Sequence, residues 1–161
     1  AVTSALLACE IATYAKNNNG SFYQELLAIY VKHNLYKEHL ISIVKKGMDG
    51  AQGIEKMMID YRNNPITSID GEKVKFLYDY KTSIKKNLIT NEETTIKIPK
   101  SNVLIYETEK GTKIACRPSG TEPKIKFYFS VNTSLDQAEN ATAIETELNI
   151  KIQRIIKEMN L

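Results

Sequence analysis

Apolar positions recur along this chain with two periods, and the switches between them lay out its elements. From 125 to 131, Ile125, Phe127, Phe129 and Val131 alternate with Lys126, Tyr128 and Ser130, a period of two that predicts a half-buried strand. The same period over 73–80 sets Val74, Phe76 and Tyr78 on one face of a strand, and Ile41, Ile43 and Val44 mark another over 39–46. Segments 101–107 and 113–117 predict a hairpin about Glu109, Lys110 and Gly111. Elsewhere the period lengthens. Ile54, Met57, Met58 and Tyr61 share one side of a helix over about 51–62, entered through a turn at 47–50 and finished before Pro65. A methionine pair at that spacing reads as core. The closing helix, about 135–158, carries Ala141, Ile144, Leu148, Ile152, Ile155 and Met159 at spacings of three and four, and Ser134 with Gln137 predicts a capping box. Between 81 and 100 the polar stretch with Asn87, Asn91, Glu92 and Glu93 predicts a mobile connector.

Two helices precede all of this. In 1–16 the apolar residues Val2, Ala5, Leu6, Cys9, Ile11, Ala12 and Ala15 cover more than one face, as in a helix buried within a larger domain, and the helix ends at Asn17, Asn18 and Asn19 with Gly20 near its C-cap. Ser21 then caps a second helix, with Phe22, Leu26, Ile29 and Tyr30 at helical spacing up to about His33. Residues 34–38 read as a connection between domains. The expectation is that the two helices have lost part of what they pack on, and are the least stable and most self-associating part of the chain. From residue 39 onward the order of strand, helix, three or four strands and helix predicts an antiparallel sheet covered on one face by helices, an α+β architecture.

Composition narrows the function classes. A 161-residue chain holds one full core or one domain plus part of another, and 42% hydrophobic with 25% charged residues is that of an ordinary globular protein. The net charge of +3 is small and no basic run exceeds a pair such as Lys45-Lys46 or Lys85-Lys86, so charge does not call for nucleic acid or an anionic membrane. No apolar run approaches the roughly 18 residues of a membrane span. Cys9 and Cys116 lie far apart and lack metal-type spacing to each other or to His33 and His39, which reads as buried free thiols in a reducing cytoplasm and as packing or surface imidazoles. Because Arg117 follows Cys116, a lowered thiol pKa is an alternative. The opening Ala-Val-Thr-Ser, already helical in pattern and without Met, suggests a piece of a longer protein.

The densest chemistry is Arg117-Pro118-Ser119-Gly120-Thr121-Glu122-Pro123-Lys124-Ile125-Lys126. A guanidinium fork, two hydroxyls, a glycine that admits close approach to its backbone, and two stiffening prolines make an inventory of donors suited to a phosphate monoester. Ser119, Gly120 and Thr121 can present their N–H groups as a nest while Arg117 supplies permanent charge and Lys126 stands on the next strand. On composition alone an ordinary surface turn accounts for the string equally well. The full string, continued by Phe127-Tyr128, resembles the phosphate-binding loop in the last domain of the α-D-phosphohexomutases, the family of phosphoglucomutase, phosphomannomutase and phosphoglucosamine mutase. Residues 1–15 resemble the helix near the end of that family's third domain, and 39–50 with the adjoining helix the start of the fourth.

The resemblance implies domains at 1–34, the end of the third mutase domain, an α/β domain, and 35–161, a phosphate-binding domain of TATA-binding-protein-like fold, a name that concerns fold alone. It implies interconversion of hexose 1-phosphate and 6-phosphate through a phosphoserine and a bisphosphate intermediate, an isomerase reaction of the full-length, cytoplasmic enzyme. Arg117, Ser119, Gly120, Thr121 and Lys126 would hold the non-reacting phosphate of the sugar phosphate, with residues 34–38 the hinge that closes the cleft. Lys126 stands where several members carry Arg and offers a point charge in place of a fork. Lys124 is a weaker candidate, and Glu122 either orients Arg117 or Lys126 or shapes the loop. No phosphoserine context, metal loop or sugar-binding loop is found in the chain. The implied Mg2+ would therefore be held by upstream mutase domains of the same protein, and the chain alone would not turn over. The loop's wording leans toward phosphoglucomutase-type members, with phosphomannomutase next. The other readings are a stand-alone phospholigand-binding module and a nucleic-acid binder of the same fold.

Overall fold

The computed structural model describes residues 1–45 and 48–161. Among them are four α-helices, α1 (Val2–Asn17), α2 (Phe22–His33), α3 (Met48–Asn63) and α4 (Ala141–Glu158). The strands are β1 (Leu35–Val44), β2 (Ser68–Ile69), β3 (Glu72–Asp79), β4 (Ile84–Asn87), β5 (Glu93–Thr95), β6 (Leu104–Thr108), β7 (Lys113–Pro118) and β8 (Lys124–Thr133). They form one sheet in the order β1-β8-β7-β6-β3-β4-β5, with β2 beside β3. The pairings from β2 to β8 are antiparallel, so the architecture is the α+β one that the alternating periods predict. The strand end at Lys46 and the turn at Gly47 lie outside the described residues.

The chain divides into two compact units. The larger, Lys37–Asn132 with Asn149–Leu161, contains most of the sheet. Its core is what period two along β8 demands: Ile125, Phe127, Phe129 and Val131 are fully buried, joined by Ile114 and Cys116 of β7 and Leu104 and Tyr106 of β6. Each large apolar side chain so buried stabilises by roughly 1.5–3 kcal/mol. From α3, Ile54 and Met58 are buried, and the Tyr61 ring stands edge-on to Phe127 at 6.1 Å and Tyr106 at 6.5 Å. The Tyr106 hydroxyl donates to the Tyr61 carbonyl at 2.7 Å, which satisfies a polar atom within that core. Arg62, at the end of α3, donates to Asp79 (3.1 Å) and Asn102 (2.6 Å). Gly50 must lack a side chain, because a Cβ there would overlap the Lys45 carbonyl.

Two ion pairs clip the last turns of α4 to the strands. Lys151 donates to Glu72 at 2.6 Å, and the second carboxylate oxygen of Glu72 accepts from Thr108 at 2.6 Å. Burial pushes the Glu72 carboxyl up, but its hydrogen bonds together with the charge of Lys151 outweigh it and leave it below its ordinary range. Arg154 makes a bidentate pair with Asp70 at 2.7 Å, and this hydrogen bond is the main cause of the lowered Asp70 pKa. Asp70 and Gly71, both at positive φ, form the two-residue turn joining β2 and β3.

The smaller unit, Ala1–Tyr36 with Thr133–Leu148, contains α1 and α2. In α1 only Ala15 is buried, and α2 has no buried residue; Val2 and Leu6 are 76% and 67% exposed. Ser21 caps α2 as expected, accepting from the Gln24 N–H at 3.2 Å. The end of α1 differs in detail: Asn19, with φ of 56°, takes the left-handed position, and Gly20 donates to the Ala15 carbonyl at 2.8 Å as the next residue of a Schellman motif.

Four expectations are corrected. Residues 35–38, expected as a connection, already belong to β1. Phe76 and Tyr78 do not share a face with Val74, because β3 carries a bulge between Val74 and Phe76 that reverses the alternation, so that Leu77 and Asp79 face inward instead. The outward rings hold the Lys85 ammonium, which lies 3.8 Å from the Phe76 centroid. The expected mobile connector at 81–100 contains the β4–β5 hairpin, whose loop is ordered by the Asn87 side chain accepting from the Ile89 and Thr90 N–H groups at 3.0 and 3.2 Å. Finally α4 starts at Ala141, after a short 3-10 turn over 138–140, so Ser134 and Gln137 do not form its capping box.

Candidate phosphate-binding site

β7 and β8 are joined by the loop 119–123, and this hairpin places the predicted residues. Pairing sets Arg117 directly opposite Lys126, with Pro118 opposite Ile125, and the Ser119 N–H closes the loop by donating to the Lys124 carbonyl at 2.7 Å. The Lys45 N–H donates to the Pro123 carbonyl at 2.9 Å and ties down the loop's far end. Because Ile125 and Phe127 face the core, period two turns Lys124, Lys126 and Tyr128 to the open face. There they line a concavity of about 220 Å³ with Arg117, Pro118, Ser119 and Gly120. Three cations line it and no carboxylate does.

The donors differ in how free they are. Among the described residues the Arg117 guanidinium has no hydrogen-bond or ion-pair partner, and its residue is exposed. The predicted nest of three consecutive N–H groups is reduced to one: Ser119 N–H is spent on Lys124, and Thr121 N–H lies 3.4 Å from the Ser119 hydroxyl, leaving that of Gly120 uncommitted. A Cβ built on Gly120 meets nothing within 4 Å, so a ligand can approach its backbone closely. Thr121 is exposed and is not among the lining residues, so the structure brings together Arg117, Ser119, Gly120 and Lys126 but not Thr121. In its place stand Lys124 and Tyr128, both legible from alternation with Lys126.

Of the two readings of Glu122, orienting Arg117 or Lys126 or shaping the loop, its pairing with Lys124 at 2.7 Å fits the second better. That hydrogen bond is the first cause of its lowered pKa. Cys116 faces the opposite way from Arg117 and is fully buried, as expected, and burial pushes its thiol up to about 12, against the alternative of activation by the neighbouring cation. Cys9, expected to be buried, is exposed, and both thiols are free. A second concavity of about 190 Å³ along α3 also reaches Ser119, but its Arg62 is already committed to Asp79 and Asn102. Among the described residues no group of three or more His, Cys, Asp or Glu side chains could hold a metal, and no helix is long and apolar enough to cross a membrane.

No family model matches the chain. A phosphoglucomutase of Staphylococcus aureus strain MSSA476 is 40% identical over 124 residues, 77% of this chain and 22% of that protein. The phosphoglucomutase of strain USA300 is 39% identical over the same length. Among solved structures, the open form of the Paramecium exocytosis-sensitive phosphoprotein parafusin, a phosphoglucomutase, aligns at 18% identity with a TM-score of 0.43, covering 88% of this chain and 25% of that one. The chain thus spans less than a quarter of the length of the curated relatives it matches. Its sequence identifies it as a member of the phosphohexomutase family, corresponding to a C-terminal part of such a protein.

Proposed function

We propose that this chain is the part of a phosphohexomutase that grips the non-reacting phosphate of a hexose phosphate while the other phosphate is transferred elsewhere in the enzyme. The reading rests above all on one observation: Arg117 and Lys126 face each other across two strands at a concavity that also holds the uncommitted Gly120 N–H and no carboxylate. A planar fork, a point charge and a backbone donor are complementary to a dianion with three acceptor oxygens. Ser119 adds a hydroxyl, and Thr121 reaches the phosphate only if the loop tightens around it. The loop gains no thiolate nucleophile from the adjacent Cys116, which is buried with its thiol pushed up to about 12. Its contribution is therefore positional: binding energy from the remote phosphate holds the reacting one in line.

In the whole enzyme the reaction interconverts hexose 1-phosphate and 6-phosphate by way of a phosphoserine and a bisphosphate, in the cytoplasm, with phosphoglucose or phosphomannose as substrate. Magnesium would supply charge neutralisation at the transferring phosphoryl group, and its ligands would come from other parts of the protein, since the described residues offer no carboxylate cluster. Residues 1–34 would close the preceding domain and 35–161 form the phosphate-binding one. The hinge would be the connection at 34–38, where Asn34, with a φ of 74°, precedes β1. The test is Arg117→Ala in the full-length protein, assayed for conversion of glucose 1-phosphate to glucose 6-phosphate. Loss of a charged phosphate contact should lower kcat/KM by about 2–4 kcal/mol, roughly 30- to 1,000-fold. A near-normal rate would contradict the role.

A further inference from the structure

Lys124 and Glu122 are the members of the loop to which the gripping role assigns nothing, and their geometry has a direction. Lys124 is the first residue of β8 and lines the concavity on the same face as Lys126, while its ammonium is turned to Glu122 at 2.7 Å. Glu122 is two residues back in the loop, with its side chain 60% exposed and outside the lining of the concavity. Arg117 has no such counter-ion among the described residues. A carboxylate that solvates freely holds an ammonium weakly. A phosphate dianion offers the same ammonium twice the charge and more acceptor oxygens, beside two further cations.

We propose that Lys124 is a third cationic ligand for the phosphate, and that Glu122 is its exchangeable counter-ion, occupying the ammonium while the cradle is empty and releasing it when a phosphoryl group arrives. This rests on the phosphate-gripping reading and adds a sign to it. Glu122 competes with the ligand, so its negative charge opposes binding even though it lies in the binding loop. A Glu122 that instead aimed Lys124 at the phosphate would favour binding. The two roles predict opposite effects of one substitution.

The experiment is titration of inorganic phosphate, and separately of glucose 1-phosphate, into the full 161-residue chain at low salt and about pH 8, where phosphate is dianionic and lysine charged. Glu122→Gln should tighten binding on the order of threefold, the effect of removing one unit charge several ångströms away in water, and the gain should fade as salt is raised. Lys124→Met should weaken binding by at least as much. In the double variant the gain from Glu122→Gln should shrink, because the ammonium it releases is gone. Unchanged or weaker binding by Glu122→Gln, or unchanged binding by Lys124→Met, overturns the proposal while leaving the cradle intact. Absence of saturable phosphate binding by the unsubstituted chain would instead overturn the gripping reading underneath it.

Discussion

Replacing Lys151 by Met keeps most of the aliphatic stem and removes the ammonium that Glu72 needs. The pair is nearly dry, with side chains 14% and 8% exposed, and the carboxylate keeps the Thr108 hydroxyl as a donor at 2.6 Å. Breaking a buried pair by removing one partner costs about 3–5 kcal/mol where the remaining charge is wholly enclosed. Water can enter where the exposed edge of Lys151 was, so the expected loss is smaller, about 2–3 kcal/mol, or roughly 5–10 °C in Tm for a chain of this size. The pH dependence identifies the cause. Glu72 titrates below its ordinary value of 4.5 in the folded chain, so its contribution is fully present above that value and is lost as pH falls through the folded pKa. In the Met variant burial acts on Glu72 with less to oppose it, so the deficit is largest near neutrality and narrows once Glu72 is protonated in both proteins. Urea unfolding followed by circular dichroism between about pH 3.5 and 7 measures this. A deficit below about 1 kcal/mol at pH 7, or one that does not change with pH, would refute the assignment of Glu72 as an ionised, paired carboxylate.

Two further outcomes are expected at the site and beside it. Gly120→Ala meets no atom within 4 Å, and its backbone φ is not positive, so folding stability should stay within about 1 kcal/mol of the parent, while the methyl group intrudes on the Gly120 N–H and weakens phosphate binding by about 1.5–3 kcal/mol. Calorimetric titration and thermal unfolding on the same sample separate the two; a destabilised variant, or one that binds phosphate normally, contradicts the open approach to this backbone. Cys9 is exposed and Cys116 is buried, so at about pH 8 a thiol reagent should label Cys9 at once and Cys116 only as fast as the chain opens. Equal labelling rates, read by mass spectrometry, would argue against the burial of Cys116.

The legible parts of the fold are those where burial imposes a period. Along β8 every second residue meets the core, so the pattern specifies strand, face and the outward set Lys124, Lys126 and Tyr128 together. β3 misleads because one extra residue, opposite Glu107, inverts the faces, and no local residue announces such a bulge. β4 and β5 escape because Lys85, Lys86, Glu93, Thr94 and Thr95 bury little, so their pairing leaves no apolar alternation; the Asp70-Gly71 hairpin is a turn dipeptide by type but is flanked by a strand of only two residues. In the loop, residue type points to donors, but which N–H is free depends on hydrogen bonds across the turn. Those bonds commit the Ser119 and Thr121 N–H groups and leave that of Gly120 alone. The partner of Glu122 is likewise a matter of side-chain reach, which spacing does not specify.

If the loop 119–123 with Arg117 and Lys126 grips a phosphate dianion, as proposed, that grip is visible in solution. Nuclear magnetic resonance of the isotopically labelled chain, titrated with inorganic phosphate at about pH 8, tests it most directly. Saturable shifts of the Gly120 amide and of the Arg117 side-chain N–H are expected, and the Gly120 shift should be lost in Arg117→Ala. Shifts that are scattered over the surface, that never saturate, or that survive the loss of Arg117 would contradict it.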